Sequence, residues 1–264
     1  MDFTLRKYGE LLNAIGAAGY EFYTFEQYLM VRSELGNKKV VILRHDIDKR
    51  PDNALIMAEL ESQMEIQSSY YFRVVRESNH PSLIHTIADL DHEIGYHYED
   101  MSICNGNVDE AIHHFVKWLD YFRNFYYVRT ICMHGAPTSK FDSRSLWRKY
   151  NYSDYGVIGE PYFDIDYSQF LYLTDTGRCW DGYKVSVRDK IPQYQNDWIR
   201  RGWAFHSTDD IIRAIKEGRL PDKILITTHP QRWTDNIVEW TVEYVWQSLK
   251  NLIKRIIIKK DLHK

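Results

Sequence analysis

Cysteine is scarce in this chain: Cys104, Cys132 and Cys179 are spread through 264 residues. That odd, widely spaced set excludes a disulfide framework and a CxxC zinc module. Net charge is small as well. The 34 basic and 37 acidic residues leave −3, which excludes a whole-molecule field for gripping nucleic acid. No run approaches the ~20 apolar residues needed to span a bilayer. The start, Met1-Asp2-Phe3-Thr4-Leu5-Arg6-Lys7, lacks the apolar core of a secretory signal. The expected location is therefore the cytoplasm, with contact at the inner face of the membrane left open. Internal repeats, low-complexity tracts and Pro/Gly/Ser-rich linkers are missing too, so one domain over 1–264 is the simplest partition.

What is present is ordinary globular material. At 44% hydrophobic and 27% charged, the chain can bury a substantial core. Its 20 Tyr and 8 Trp suit sugar-binding clefts as well as cores. Helical patterns over 4–18, 24–35, 52–64, 81–90, 108–124 and 208–217 alternate with β-rich runs. Those runs are Val40–Arg44, Ser68–Val74, His92–Tyr98, Thr130–His134, Phe170–Thr174 and Ile224–Thr228. Strand followed by helix, repeated about six or seven times, predicts an α/β fold with parallel strands, either a barrel or an open doubly wound sheet. A basic amphipathic helix over about 238–260 ends the chain. There Leu252, Ile253, Ile256 and Ile257 alternate with Lys250, Lys254, Arg255, Lys259 and Lys260. Such a stripe either packs onto the domain or lies on an anionic membrane surface, and packing onto the domain is the expectation.

In both α/β architectures chemistry gathers at the carboxyl ends of the strands. Several strand ends here carry metal-ligating or titratable residues. His45-Asp46-Ile47-Asp48 places two carboxylates on one face of an extended segment. One can ligate a metal while the other takes a proton from water. A capping Asp plus a solvated loop Asp is the alternative. His97 and Glu99 repeat the i, i+2 spacing with donors suited to zinc. His134 ends another strand and points to the same rim if the registers hold. After the last strand, His229 is placed to protonate a leaving group, and Trp233 to stack on a sugar ring. Asp175, Arg178 and Trp180 follow a further strand.

These residues resemble the polysaccharide deacetylase superfamily (NodB-homology domains, carbohydrate esterase family 4), and within it a WbmS-like bacterial branch associated with surface-polysaccharide gene clusters. The likeness runs from about Val40 to Trp233. It implies an irregular (β/α)7 barrel that removes an acetyl group from an N- or O-acetylated sugar with a divalent metal, zinc first, with cobalt, manganese or nickel as substitutes. Carried over residue by residue, Asp46 becomes the general base and Asp48 a metal ligand. Asp91-His92-Glu93-Ile94-Gly95-Tyr96-His97 matches the lead-in of the second motif, making His97 a ligand. The next ligand position falls on Met101, a poor partner for such an ion, so His134, or else Glu99, completes the set. The motif that carries an Arg partner for the base has no matching Arg at Met133-His134-Gly135-Ala136-Pro137. His229 becomes the catalytic histidine, with Arg178, Trp180 and Trp233 as substrate-binding residues. The partner implied is an acetylated saccharide or lipid-linked glycan, not a nucleic acid; peripheral membrane contact through the last helix stays the alternative to its packing on the domain. Two rival readings stand beside it: a catalytically degenerate carbohydrate-binding protein, and a metal-dependent amidohydrolase acting on a non-sugar substrate.

Overall fold

A computed structural model describes residues 1–182, 186 and 188–261, with 253–261 as backbone only. Helix α1 (Leu5–Ala17) starts where the Thr4 side chain accepts from the Lys7 N–H at 3.1 Å. After the short β1 (Glu21–Tyr23), α2 (Phe25–Val31) opens on a reciprocal Thr24/Gln27 capping box. Such caps satisfy orphan helix-end donors and contribute about 1 kcal/mol each. Strand β2 (Val40–Ile47) is buried along its whole length, as its near-continuous apolar run predicts. The repeats α3 (Pro51–Gln63), β3 (Ser69–Phe72), α4 (Pro81–Asp89) and β4 (Glu93–Tyr98) follow. Proline opens both helices, at the position where its missing N–H costs nothing. Then come the one-turn α5 (Asp100–Ile103), α6 (Val108–Phe122), β5 (Ile131–Met133), the one-turn α7 (Pro161–Asp164) and β6 (Leu171–Thr174). The chain ends with α8 (Pro192–Arg200), α9 (Thr208–Lys216), β7 (Lys223–Thr228) and α10 (Ile237–Asp261).

All seven strands are parallel, in the order β5-β4-β3-β2-β7-β6. The edge of β2 that β3 follows is shared. β1 pairs with its first half, Val40–Ile42, and β3 with its second, Arg44–Ile47. The sheet curls into a half-barrel. Its end strands β5 and β6 do not pair with each other; a short main-chain bridge joins Gly159 to the β5 edge, and side chains span the rest of the opening. Glu160 accepts from the Met133 N–H of β5 at 3.0 Å. Two residues on, the Tyr162 hydroxyl donates to Asp189 at 3.3 Å, and Asp189 accepts from Thr174 of β6 at 2.8 Å and from Tyr172. Inside the curl, Gly95 is required: a Cβ there would stand 2.3 Å from the Tyr71 ring.

The α/β class and the parallel strands match the expectation from the alternating pattern. The short elements β1, α5, α7 and α8 were not visible in it, because three- or four-residue segments and a polar helix carry little periodic signal. Among the described residues no helix is long and apolar enough to cross a membrane.

Candidate active site

The period of two along β2 decides the site. Arg44 and Asp46 turn into the half-barrel, His45 turns out toward the helices, and Asp48 follows at the strand end. Parallel pairing brings the ends of β4, β5 and β7 to the same rim. There Asp46, Asp48, His97, His134 and His229 line one open pocket.

Three of these side chains converge. One ligand atom each of Asp48, His97 and His134 lies within 4.8 Å of the others. His134 Nδ1 is 3.1 Å from Asp48 Oδ1 and 3.3 Å from His97 Nε2, and His97 Nε2 is 3.8 Å from Asp48 Oδ1. The ring orientation of His97 is set from behind, since its Nδ1 faces the Cys132 carbonyl at 2.9 Å. A carbonyl only accepts, so Nδ1 carries the proton and Nε2 presents its lone pair to the cluster. Burial, reinforced by the charge of His134, pushes His97 well below the usual imidazole range and keeps it neutral. Burial raises Asp48, but His134 and His229 overcome it and hold that carboxyl well below its ordinary value. Two imidazoles and a carboxylate are a donor set that fits zinc or a similar divalent ion. A second grouping, Asp46, His97 and Cys132, also meets the distance test. Burial pushes the Cys132 thiol well up, however, which disfavours the thiolate that a metal needs.

Asp46 sits against this trio, 3.8 Å from His97 Nε2. Its Oδ2 accepts from the Arg44 guanidinium at 2.9 Å, while the buried Oδ1 has no hydrogen-bond partner among the described residues. Burial raises the Asp46 pKa, with Arg44 and His229 opposing. A desolvated carboxylate with one oxygen held and one free has the form of a general base. Across the pocket, His229 Nε2 is 3.9 Å from Asp48 Oδ2. Its Nδ1 lies 2.6 Å from Asp175 Oδ1, and its backbone N–H donates to Asp175 Oδ2 at 3.0 Å. Burial and Arg232 push His229 down, but Asp175 and Asp48 more than offset them, and its pKa is raised. An imidazolium held by a buried carboxylate can deliver a proton from Nε2.

The other candidate residues are placed elsewhere. Trp233 is fully buried among Phe3, Tyr8 and Trp180 and donates to Asp175 Oδ2 at 2.8 Å, so it supports the His229 dyad from behind rather than facing the pocket. Trp180 is buried and donates to Thr208, and Arg178 stacks on Trp240 of α10 at 4.4 Å. None of the three lines the pocket, whose aromatic wall is Tyr162. Large apolar rings at this point complete the core between α1 and the sheet. Met101 packs into the apolar cluster with Phe115 and offers nothing to the site. Glu99 is drawn to Arg73 (2.7 Å to Nε) and stays 3.8 Å from His134 Nε2, outside the convergent trio. Arg44 was missed as a partner for Asp46, although its i−2 spacing on a strand places it on the same face. Arg188 was missed as well. It donates to the Gly135, Ala136 and Ser139 carbonyls and so clamps the loop after His134; no local pattern pairs segments so far apart.

No family model and no curated protein matches this sequence. Among solved structures, PdaA of Bacillus subtilis, a family 4 carbohydrate esterase, aligns with 12% identity and a TM-score of 0.40, over 90% of this chain and 84% of that one.

Proposed function

We propose that this chain is a divalent-metal-dependent hydrolase that removes an acetyl group from an acetylated saccharide of surface-polysaccharide metabolism, working in the cytoplasm. The observation that carries the reaction class is the convergence of Asp48, His97 and His134 beside Asp46, with the His229–Asp175 pair opposite. The substrate class rests on the motif resemblance around Asp46–Asp48 and Asp91–His97.

Asp48, His97 and His134 would hold the ion, zinc first by the chemistry of the set. Bound there, it would supply Lewis-acid polarisation of the acetyl carbonyl. The protein groups do the remainder. Asp46 takes a proton from the attacking water, while Arg44 holds its carboxylate in place through Oδ2. As the acyl C–N or C–O bond breaks, His229 Nε2 gives a proton to the departing amine or alcohol, and acetate is left. Asp175 keeps His229 in the tautomer that this transfer requires.

The test loads the protein with zinc, cobalt, manganese or nickel and measures acetate released from N- and O-acetylated sugar conjugates. One ion per chain, with binding lost in His134→Ala, and metal-dependent acetate release are expected. Absence of stoichiometric binding by any of the four ions would refute the reading.

A further inference from the structure

Helix α10 carries its polarity inside out. The side facing the protein is polar. Glu243 and Gln247 are buried, Glu243 pairs with Lys49 at 2.9 Å, and Asn251 donates to the Gly177 carbonyl at 2.7 Å. The opposite side is a stripe of Val238, Val242, Val245, Leu249 and Leu252, each at least half exposed, with Trp246 beside it at 53%. Helices that cover a globular core do the reverse, so the expected packing of the apolar side onto the domain is not what the described part of the helix does. Ile253, Ile256 and Ile257 lie outside the residues whose side chains are described.

We propose that α10 lays this stripe on an anionic bilayer surface and thereby presents the pocket to a saccharide carried on a membrane lipid; the second clause rests on the deacetylase reading. Charge complementarity selects the occupant. From Lys250 to Lys260 the sequence has Lys250, Lys254, Arg255, Lys259 and Lys260 and no acidic residue. Basic residues beside an apolar stripe with an aromatic flank suit an anionic interface, each worth about 1 kcal/mol near such a surface. A second copy of the helix fits less well. Set parallel, it would lay basic segment against basic segment. Set antiparallel, it would bring its basic segment toward Glu239 and Glu243 in the first half of the helix, and these already pair with Arg50 at 3.2 Å and Lys49. The helix is also fixed to the pocket rim. Lys49 directly follows Asp48, and Gly177 and Arg178, which α10 holds, follow Asp175. A surface bound to α10 would therefore lie beside the loops that carry two site carboxylates.

The experiment uses the full chain in co-sedimentation with vesicles of phosphatidylcholine alone and of phosphatidylcholine mixed with phosphatidylglycerol. Binding to the mixed vesicles and not to the neutral ones is expected. The double variant Val245→Glu, Leu249→Glu should weaken it at least about tenfold, with an unchanged melting temperature and unchanged acetate release from a soluble acetylated oligosaccharide. Failure to bind either vesicle overturns the proposal. So does a dimer in sedimentation velocity that the same substitutions dissociate, which would assign the stripe to a second copy. Vesicle binding without acetate release from any substrate leaves the docking standing and removes the deacetylase reading. Acetate release without vesicle binding does the opposite.

Discussion

Strand β2 separates two clusters made of the same kinds of residue. On its inner side stand Arg44 and Asp46, with Asp48 at the end, facing His97, His134 and His229. On its outer side stands His45, whose Nε2 is 2.8 Å from Glu61 of α3, with Nδ1 2.6 Å from the Thr228 hydroxyl. Glu61 also accepts from Ser68 at 2.5 Å, from Tyr70 at 2.9 Å and from Tyr8. His45, Glu61, Ser68, Tyr8, Tyr70 and His92 are all fully inaccessible to solvent. Both oxygens of Glu61 are satisfied, whereas Asp46 lines an open pocket and its buried Oδ1 has no donor among the described residues. Composition does not distinguish a site from a buried tie; saturation and access do.

The sharpest way to break this contrast is to neutralise one carboxylate on each side. Asp46→Asn should lower kcat for acetate release by about 10³-fold, within the range for a lost general base. Its melting temperature should move by less than roughly 3 °C, because burial already strains the charged form. An Asp46→Asn variant that keeps wild-type turnover would refute the assignment of the base. Glu61→Gln should do the reverse. It strips the outer network of its charge and should cost about 3 kcal/mol, or a fall in Tm of roughly 6–12 °C. The kcat of the folded fraction should stay within about twofold of wild type. A large loss of turnover at constant Tm would show that the outer cluster serves the chemistry after all.

Acid sharpens the comparison further. Burial alone would raise Glu61, yet His45, His92 and Ser68 hold it at about 2, below its ordinary 4.5. A depressed carboxyl stabilises the fold fully above its unfolded value, and that contribution fades as pH falls from about 4.5 toward 2. Urea midpoints taken from pH 6 to pH 3 should therefore show about 2 kcal/mol of lost stability that Glu61→Gln lacks. Parallel curves for the two proteins would exclude the cluster as the source. The smallest effect is expected at Asp175→Asn, which leaves His229 in place but weakens its imidazolium. A roughly tenfold fall in kcat, with the limb of the pH profile assigned to His229 moved to lower pH, would place Asp175 as a positioning residue; an unchanged profile would remove it from that role.

Much of this was legible in the chain itself, and the reasons are local. The Val40–Leu43 run followed by charged residues marks β2 and its rim, and His97, His134 and His229 each fall at the end of a β-rich run, where a parallel sheet gathers them. What escaped was long-range or depended on saturation. His45 looks like part of the same motif as Asp46, and only the presence of Glu61 one helix later shows that it belongs to the other face. Trp180 and Trp233 read as sugar platforms because an indole after a strand end looks alike whether it meets solvent or Phe3. Arg44 was hidden because a charged residue at the end of an apolar run reads as the strand's solvated end, not as a buried partner of Asp46. The outward stripe of α10 was hidden for a different reason: periodicity reports that a helix has an apolar side and says nothing about which way it turns.

The gap between β5 and β6 has a consequence for how such a scaffold can change. Closure there depends on Glu160, Tyr162 and Asp189 rather than on a continuous ladder of main-chain bonds. Tyr162 and Asp189 also form part of the pocket wall. Exchanging those few residues can therefore widen or narrow the cleft without shifting the register of any strand, while the carboxylates and imidazoles at the ends of β2, β4 and β7 stay where they are.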